Sequence, residues 1–330
     1  MSKIEWTDIT SNPIHLIRED GTHGGHWCEK ISPGCANCYA ETQNQSNYFK
    51  FASHLPYSGD VPDNLIFDEK VMQKLVKMRS PEVVFLGSMT DIFGKWVPDE
   101  WLDRAFAYMA VAKQHTFQIL TKRPERMKEY LTDPKTVQRI GTWVAADLKP
   151  HYGLVGLNHS VFDKFRLPLP NVWLGTSVEN QKAADDRIPS LLMTPAAVRF
   201  LSCEPLLERL NFSKYVFNRS ESVKRIARKM SLNEEQADSI TNYPINWVIV
   251  GGESGSKARP CHLDWIRSIV QQCRESNIPV FVKQLGSNCV ESVPYMEGIC
   301  SHHQIKTSDR KGGDIYEFPE DLRIREFPFK

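Results

Sequence analysis

Short apolar runs recur along the chain, and each is followed by a polar stretch. Val83-Val84-Phe85-Leu86 leads into Gly87-Ser88-Met89-Thr90-Asp91, and Phe117-Gln118-Ile119-Leu120 into Thr121-Lys122-Arg123-Pro124. Val172-Trp173-Leu174 leads into Gly175-Thr176-Ser177-Val178-Glu179-Asn180, and Val198-Arg199-Phe200-Leu201 into Ser202-Cys203-Glu204-Pro205. Trp247-Val248-Ile249-Val250 precedes Gly251-Gly252-Glu253-Ser254, and Val280-Phe281-Val282 precedes Lys283-Gln284. The runs are short and barely alternate, the pattern of strands buried on both faces. Helical stripes separate them. Leu102, Ala105, Phe106, Met109 and Ala110 follow Pro98-Asp99-Glu100-Trp101. Met127 and Leu131 follow Pro124, and Trp265, Ile266, Ile269 and Val270 stand before Pro279. Such alternation predicts an α/β fold whose parallel strands are joined by right-handed crossovers. Polar residues gather after each strand, the end that carries the active site in a parallel (β/α) barrel. One such tip is an ordinary helix cap; a series of them predicts a rim.

Three stretches break this rhythm. Residues 12–27 are rich in Gly and His, residues 132–170 read as an insert without a strand, and residues 206–243 read as a helical insert. In the last of these, Val223, Ile226, Ala227 and Met230 share one helix face, while Lys224, Arg225, Arg228 and Lys229 lie largely on the other. Ser231 and Glu234 have the spacing of a capping box for a second helix. The segment 286–330 is loop-rich and predicts a C-terminal cover, so the expected organisation is one barrel domain over 1–330 with these additions. Composition narrows the class. The 330 residues include 41 Lys+Arg and 40 Asp+Glu, a net charge of +1, with 41% apolar and 25% charged residues. That is the balance of a globular chain, not of a disordered or polybasic one. No apolar run is long enough to span a membrane, and the beginning lacks a signal-peptide core. The expectation is a cytoplasmic protein whose eight cysteines are reduced thiols or metal ligands.

The cysteines supply the sharpest local signal. Trp27-Cys28-Glu29-Lys30-Ile31-Ser32-Pro33-Gly34-Cys35-Ala36-Asn37-Cys38-Tyr39-Ala40 spaces three of them as C-x6-C-x2-C. Cys35 and Cys38 fit one turn, and Pro33-Gly34 bends the chain so that Cys28 can return. Three thiolates suit a 4Fe-4S cluster with one iron left open, whereas clusters that only carry electrons take four cysteines. His26 with Cys28, Cys35 and Cys38 equally makes a closed Cys3His zinc site. The spacing leaves both open. Cys203, Cys261, Cys273, Cys289 and Cys300 are scattered and read as buried or incidental, Cys203 excepted because it stands at a strand tip.

The chain as a whole resembles the phage- and prophage-associated three-Cys-motif proteins, a family that looks like the radical S-adenosylmethionine enzymes. The resemblance rests on Ile4-Glu5-Trp6-Thr7, Ser32-Pro33-Gly34-Cys35-Ala36-Asn37-Cys38-Tyr39-Ala40, Thr121-Lys122-Arg123-Pro124-Glu125-Arg126, Glu204-Pro205-Leu206 and Gly251-Gly252-Glu253-Ser254-Gly255. It continues through Lys311-Gly312-Gly313-Asp314, Pro319-Glu320-Asp321-Leu322-Arg323 and Arg325-Glu326-Phe327-Pro328. It implies a partial parallel (β/α) barrel of the radical S-adenosylmethionine type with helical inserts, a 4Fe-4S cluster on Cys28, Cys35 and Cys38, and S-adenosylmethionine on the open iron. Reductive cleavage of that cofactor yields a 5′-deoxyadenosyl radical that takes hydrogen from a substrate, while the protein orients the reaction and excludes water. Ser88 and Asp91 at one tip, and Thr176, Ser177, Glu179 and Asn180 at another, are the implied cofactor contacts, with Tyr39 beside the adenine. The first gap departs from the common C-x3-C-x2-C, Leu285 stands where relatives often have Trp, and Cys203 where they often have Ala. Gly251-Gly252-Glu253 follows a late strand, so the cofactor contact of a Gly-Gly-Glu triplet after a second strand is not transferred to it.

Lys122 and Arg123 at a tip need anions. Glu204 and Glu253 at other tips, or a substrate phosphate or carboxylate, would provide them. Lys283 poses the same problem, so Lys122, Arg123, Glu204, Glu253 and Lys283 are the substrate-binding candidates. The cationic face at 224–229 suits a nucleic acid or nucleotide as substrate, and catalysis requires an electron donor. Two functions of other classes compete with the enzyme. One is a zinc-stabilised, non-catalytic nucleic-acid-binding protein; the other is a partner protein of a phage-related system.

Overall fold

A computed structural model describes residues 4–46, 52–148, 166–216, 244–296 and 299–328. The chain divides into two units: Met1–Ile31, Cys38–Leu174 and Thr194–Ala197 form the first, and Ser32–Asn37, Gly175–Met193 and Val198–Lys330 the second. Both are mixed α/β with parallel strands.

In the first unit the elements run β1 (Ile9–Ser11), β2 (Ile14–Leu16), α1 (Tyr39–Gln45), β3 (Leu65–Phe67), α2 (Glu69–Lys77) and β4 (Val83–Leu86). Then come α3 (Asp99–Val111), β5 (Thr116–Thr121), α4 (Pro124–Thr132), α5 (Pro134–Trp143) and the start of β6 (Val172–Ser177). The parallel pairs β1–β4 and β4–β5 place Val84 opposite both Ile9 and Phe117. Val84, Leu86, Phe117 and Ile119 have no exposed surface, which is why these runs do not alternate. Local chemistry starts the helices. Asp68 caps α2 by accepting from the Lys70 amide at 2.9 Å, and Asp133 caps α5 by accepting from Lys135 at 3.0 Å. Pro124 and Pro134 occupy first-turn positions that need no donor.

The His-rich stretch acquires a definite structure. His15 stacks on His23 with ring centroids 4.0 Å apart, and His26 meets His23 edge-on at 4.9 Å. His15 Nε2 faces Asp68 at 3.1 Å. Burial foremost, then the charges of His15, His26 and Arg18, push His23 down to about 4, against an opposing pull from Asp68.

In the second unit the end of β6 is followed by α6 (Gln181–Leu192), β7 (Val198–Cys203), α7 (Ser213–Val216), β8 (Trp247–Gly251) and β9 (Cys261–His262). The remainder is α8 (Leu263–Glu275), β10 (Val280–Gln284), β11 (Cys289–Met296) and β12 (Ile299–Ile305). The parallel register sets Leu201 opposite Val248 and Val248 opposite Val280. Leu263, Ile266, Ile269 and Cys273 form the fully buried stripe of α8. The free edge of β10 is covered by the C-terminal residues: the Val282 amide donates to the Ile324 carbonyl at 2.8 Å, and the Glu326 amide to Val280 at 3.1 Å. Trp247 Nε1 donates to the Glu326 carbonyl at 2.7 Å, and Phe327 stacks on the Trp247 ring at 5.3 Å.

The structure adds detail to some sequence expectations. The insert at 132–170 begins as a capped helix packed on α3, followed by a π-helical turn, Val144–Leu148. The segment after Gly286 is not merely loops, because β11 and β12 pair antiparallel. Its apolar positions are diluted by Glu291, Pro294, His302 and His303, which hides the alternation. The basic helix and capping box of 220–234 lie outside the described residues.

Phe327→Ala should lower unfolding stability in urea by about 1–2 kcal/mol, since it removes a half-buried aromatic stack on the edge cover. An unchanged midpoint would show that the cover adds nothing. His23 supplies a pH signature. Its folded pKa lies below the unfolded value, so the unfolded chain holds more protons between about 6.5 and 4. Its stabilising contribution is complete above about pH 6.5 and is lost as pH falls towards 4. His23→Phe, which keeps the ring, should flatten the decline of the urea midpoint over that window.

Candidate functional site

The loop that bears the first and last clustered cysteines is tied to the tip of β4. Within the first unit, Tyr39 donates its hydroxyl to the Ser88 carbonyl at 2.6 Å, Tyr57 donates to Met89 at 2.8 Å, and Thr90 donates to Trp27. Glu41, buried in α1, accepts from the Tyr57 amide at 2.9 Å and pairs with Lys30 at 2.5 Å. Cys28 and Cys38 stand half-buried in this frame. Burial pushes the Cys28 thiol up to about 12, and the Asp91 carboxylate adds to the rise. The Asp91 amide, hydrogen-bonded to Cys28, and the Arg123 guanidinium oppose it.

Asp91 organises this tip. Its carboxylate accepts from Thr121 Oγ1 at 2.7 Å, from the Lys122 amide at 3.0 Å, and from Arg123 Nη1 at 3.1 Å. Arg123 also donates to Glu29 Oε2 at 2.8 Å and lies over the Trp96 ring at 4.7 Å. Its side chain is 8% exposed and that of Asp91 is 9%, so each charge is held by the other.

In the second unit the turn Pro33–Cys35 lies on two further tips. Gly34 packs on Glu179 so closely that an added Cβ would meet the carboxyl carbon at 3.0 Å. Glu179 is fully buried and pairs with Arg187 at 2.8 Å. Arg259 Nη1 donates to the Pro33 carbonyl at 2.8 Å, and Asn37 Nδ2 donates to Glu253 Oε2 at 3.0 Å and to the Lys257 carbonyl at 2.9 Å. Glu253 accepts from the Arg259 amide and Nε at 2.9 Å each. Burial alone would raise the Glu253 carboxyl, but the hydrogen bonds from Arg259 and Asn37 outweigh it and hold the group below the usual range. Cys35, half-buried, has Ser32 Oγ at 3.8 Å from its sulfur.

The candidate residues therefore divide. Arg123 takes its anions from Asp91 and Glu29, where the sequence offered Glu204 and Glu253 or a substrate anion. Glu253 belongs to Arg259, and Glu204 faces Lys283 at 3.0 Å. Those partners come from adjacent loops and strands, which satisfy the charges more directly. Lys122 engages Asp91 through its amide. Asn180 caps α6, accepting from Ala183 at 2.8 Å, and Thr176 and Ser177 are buried at 0% and 2% exposure. Ser88 is half-buried and shares hydrogen bonds with Asn12 at 3.1 and 3.2 Å. Sequence reasoning missed Asn37, Arg259, Tyr57, Glu29 and Trp96. Only Asn37 carried a signal, its place between Cys35 and Cys38. The glycine of Gly252 answers to packing, because a side chain there would run into the Leu285 backbone.

Two observations bear on what the cysteines can hold. His26 Nδ1 faces the Ile14 carbonyl at 3.0 Å, and its ring stands against His23 and His15. Among the described residues, no three His, Cys, Asp or Glu side chains are arranged as ligands of a single metal ion. Thiolates of a four-iron cluster bind different irons and stand farther apart than ligands of one ion. The cysteines differ in setting too: Cys28, Cys35 and Cys38 are half-buried, while Cys203, Cys261, Cys273 and Cys289 are buried. No helix among the described residues is long and apolar enough to cross a membrane.

Comparison with curated proteins gives no match, and comparison with solved structures gives none either. One family model does match, over residues 1–317. With nearly the whole chain covered, the protein belongs to the family described as "Protein of unknown function (DUF5131)".

Proposed function

We propose that this protein is a radical S-adenosylmethionine-type enzyme, built on a partial (β/α) barrel, that holds a 4Fe-4S cluster through Cys28, Cys35 and Cys38. The observation that carries the reading is the seating of the cysteine segment on the carboxyl ends of parallel strands. Cys28 and Tyr39 are bound to the β4 tip, and the Pro33–Cys35 turn to Glu179 and to the Glu253–Arg259 pair. Active sites of parallel (β/α) proteins occupy that end of the sheet. When bound, the cluster with S-adenosylmethionine supplies one-electron cleavage of a sulfonium bond and a carbon radical that takes hydrogen from substrate.

The residues of the chain have separable tasks in this reading. Asp91, Arg123 and Glu29 hold the Cys28 segment, while Glu253, Arg259 and Asn37 hold the Cys35 turn. Tyr39, 45% exposed but fixed through its hydroxyl, offers a ring face to an adenine, and Ser88 offers its hydroxyl. Thr176, Ser177 and Asn180 build the tip beneath rather than reaching a ligand. Glu179, held by Arg187, braces the Cys35 turn through its contact with Gly34. The substrate class is a nucleic acid or nucleotide, on the strength of the cations Lys224, Arg225, Arg228 and Lys229 in the sequence. The resemblance to phage-associated proteins agrees with such a substrate. An electron donor is required.

Anaerobic purification with iron and acid-labile sulfide analysis should find about four of each per chain, in a brown protein. Cys28→Ala, Cys35→Ala and Cys38→Ala should each abolish them, while Cys273→Ala should retain them. Full iron content in Cys35→Ala protein would defeat the ligand assignment, and stoichiometric zinc in place of iron would establish the non-catalytic reading. Calorimetry on the iron-loaded protein should then register S-adenosylmethionine binding that is absent from Cys35→Ala. Formation of 5′-deoxyadenosine under a low-potential reductant separates an enzyme from a partner protein.

A further inference from the structure

Among the described residues, the four buried cysteines are not scattered. All lie in the second unit, and burial raises the thiols of Cys203 and Cys261, with Cys273 and Cys289 respectively near enough to add to the rise. The second pair has a geometry that the first lacks. Strand β9 pairs in parallel with β11, and the register sets Cys261 directly opposite Cys289, with His262 opposite Val290. The Cys261 amide donates to the Asn288 carbonyl at 3.0 Å, which fixes the register, and Asn288 Nδ2 donates to Ala258 at 3.1 Å.

Residues opposite one another on neighbouring strands are about 4.8 Å apart and present their side chains to the same face. A disulfide needs a Cα separation of roughly 4.4–6.8 Å. The register places the pair within that Cα range, and in the structure both thiols are free. Cys203 and Cys273 stand on a strand and a helix with no such register. Cys300 is excluded by distance. Its backbone is opposite Pro294, five residues along β11 from Cys289, or about 17 Å at the rise of a strand.

We propose that Cys261 and Cys289 are an oxidisable cross-strand pair, and that their disulfide locks the segment that clamps the Cys35 turn. Arg259, two residues before Cys261, donates to the Pro33 carbonyl, and Glu253, which accepts from Arg259 and Asn37, begins the same segment. The oxidant is a hydroperoxide such as hydrogen peroxide. One thiol attacks the peroxide, breaking its O–O bond, forming a sulfenic acid and releasing water. The second thiol attacks that sulfur and releases a second water, so two thiols and one peroxide yield one disulfide and two waters. Both residues have no exposed surface, so a resting molecule keeps the pair reduced and oxidation proceeds when the β11–β12 hairpin opens. Once formed, the bond closes a loop containing all of α8 and β10. The inference is independent of what Cys28, Cys35 and Cys38 bind.

The test uses the reduced full-length chain, treated with stepwise hydrogen peroxide, alkylated, digested without reductant and mapped by mass spectrometry. The expected product is a Cys261–Cys289 cross-linked peptide, reversed by dithiothreitol, present in Cys203→Ala and absent from Cys289→Ala. Oxidised protein should melt several degrees higher than reduced protein and exchange the amides of residues 253–260 more slowly. Neither shift should occur in Cys289→Ala, or in Cys261→Val should that variant fold better. If Cys261 and Cys289 are still alkylated after Cys28, Cys35 and Cys38 have been fully oxidised, the pair is structural and the proposal fails. It fails equally if either joins another cysteine. Loss of iron binding in the wild type would overturn the cluster reading and leave this one standing.

Discussion

A charge removed from water must be met by an opposite one, and this constraint determines how the strand tips are arranged. Asp91, Glu179, Glu204 and Glu253 all follow strands, and all are largely enclosed. Each has a basic partner: Arg123, Arg187, Lys283 and Arg259 respectively. Removing one member of such a pair leaves the other uncompensated, a cost of about 3–5 kcal/mol. The cysteine segment exploits these pairs. It attaches to groups that are immobile for an independent reason, through the Asp91 amide on Cys28 and the Arg259 donor on Pro33. The pairs are therefore footings for the loop as much as sources of stability.

The apolar layer beneath explains why the tips can be so polar. Strand β8 is buried along its length, with Trp247, Val248, Ile249 and Val250 fully enclosed. Val84 and Phe117 do the same in the first unit. Burying such side chains contributes roughly 1.5–3 kcal/mol each, so the stability of the fold does not rest on the strand ends alone. Residues there are free to satisfy a site, the division of labour expected of parallel α/β proteins.

Legibility in the sequence followed the range of the interaction. Strands β4, β5, β6, β7, β8 and β10 were evident because contiguous apolar residues report double-sided burial. Strands β1 and β9, three and two residues long, carry no pattern of their own and exist through their partners. The cysteine spacing was legible because it is local, whereas Asn180, expected to touch a cofactor, caps α6 instead. The partners of Arg123 and Glu253 were not, since Glu29 and Arg259 reach them through the folded loops. Nor did the sequence show that Cys261 and Cys289 face one another, because register is fixed by tertiary pairing.

The cover on β10 has a consequence for how the chain reaches its folded state. Until residues 323–327 dock, the outer edge of β10 presents unpaired amides at Val280 and Val282 beside the apolar face of Trp247 and Phe281. Such an edge is a template for strand addition from another chain. Residues 323–327 are thus the ones that close this edge to self-association.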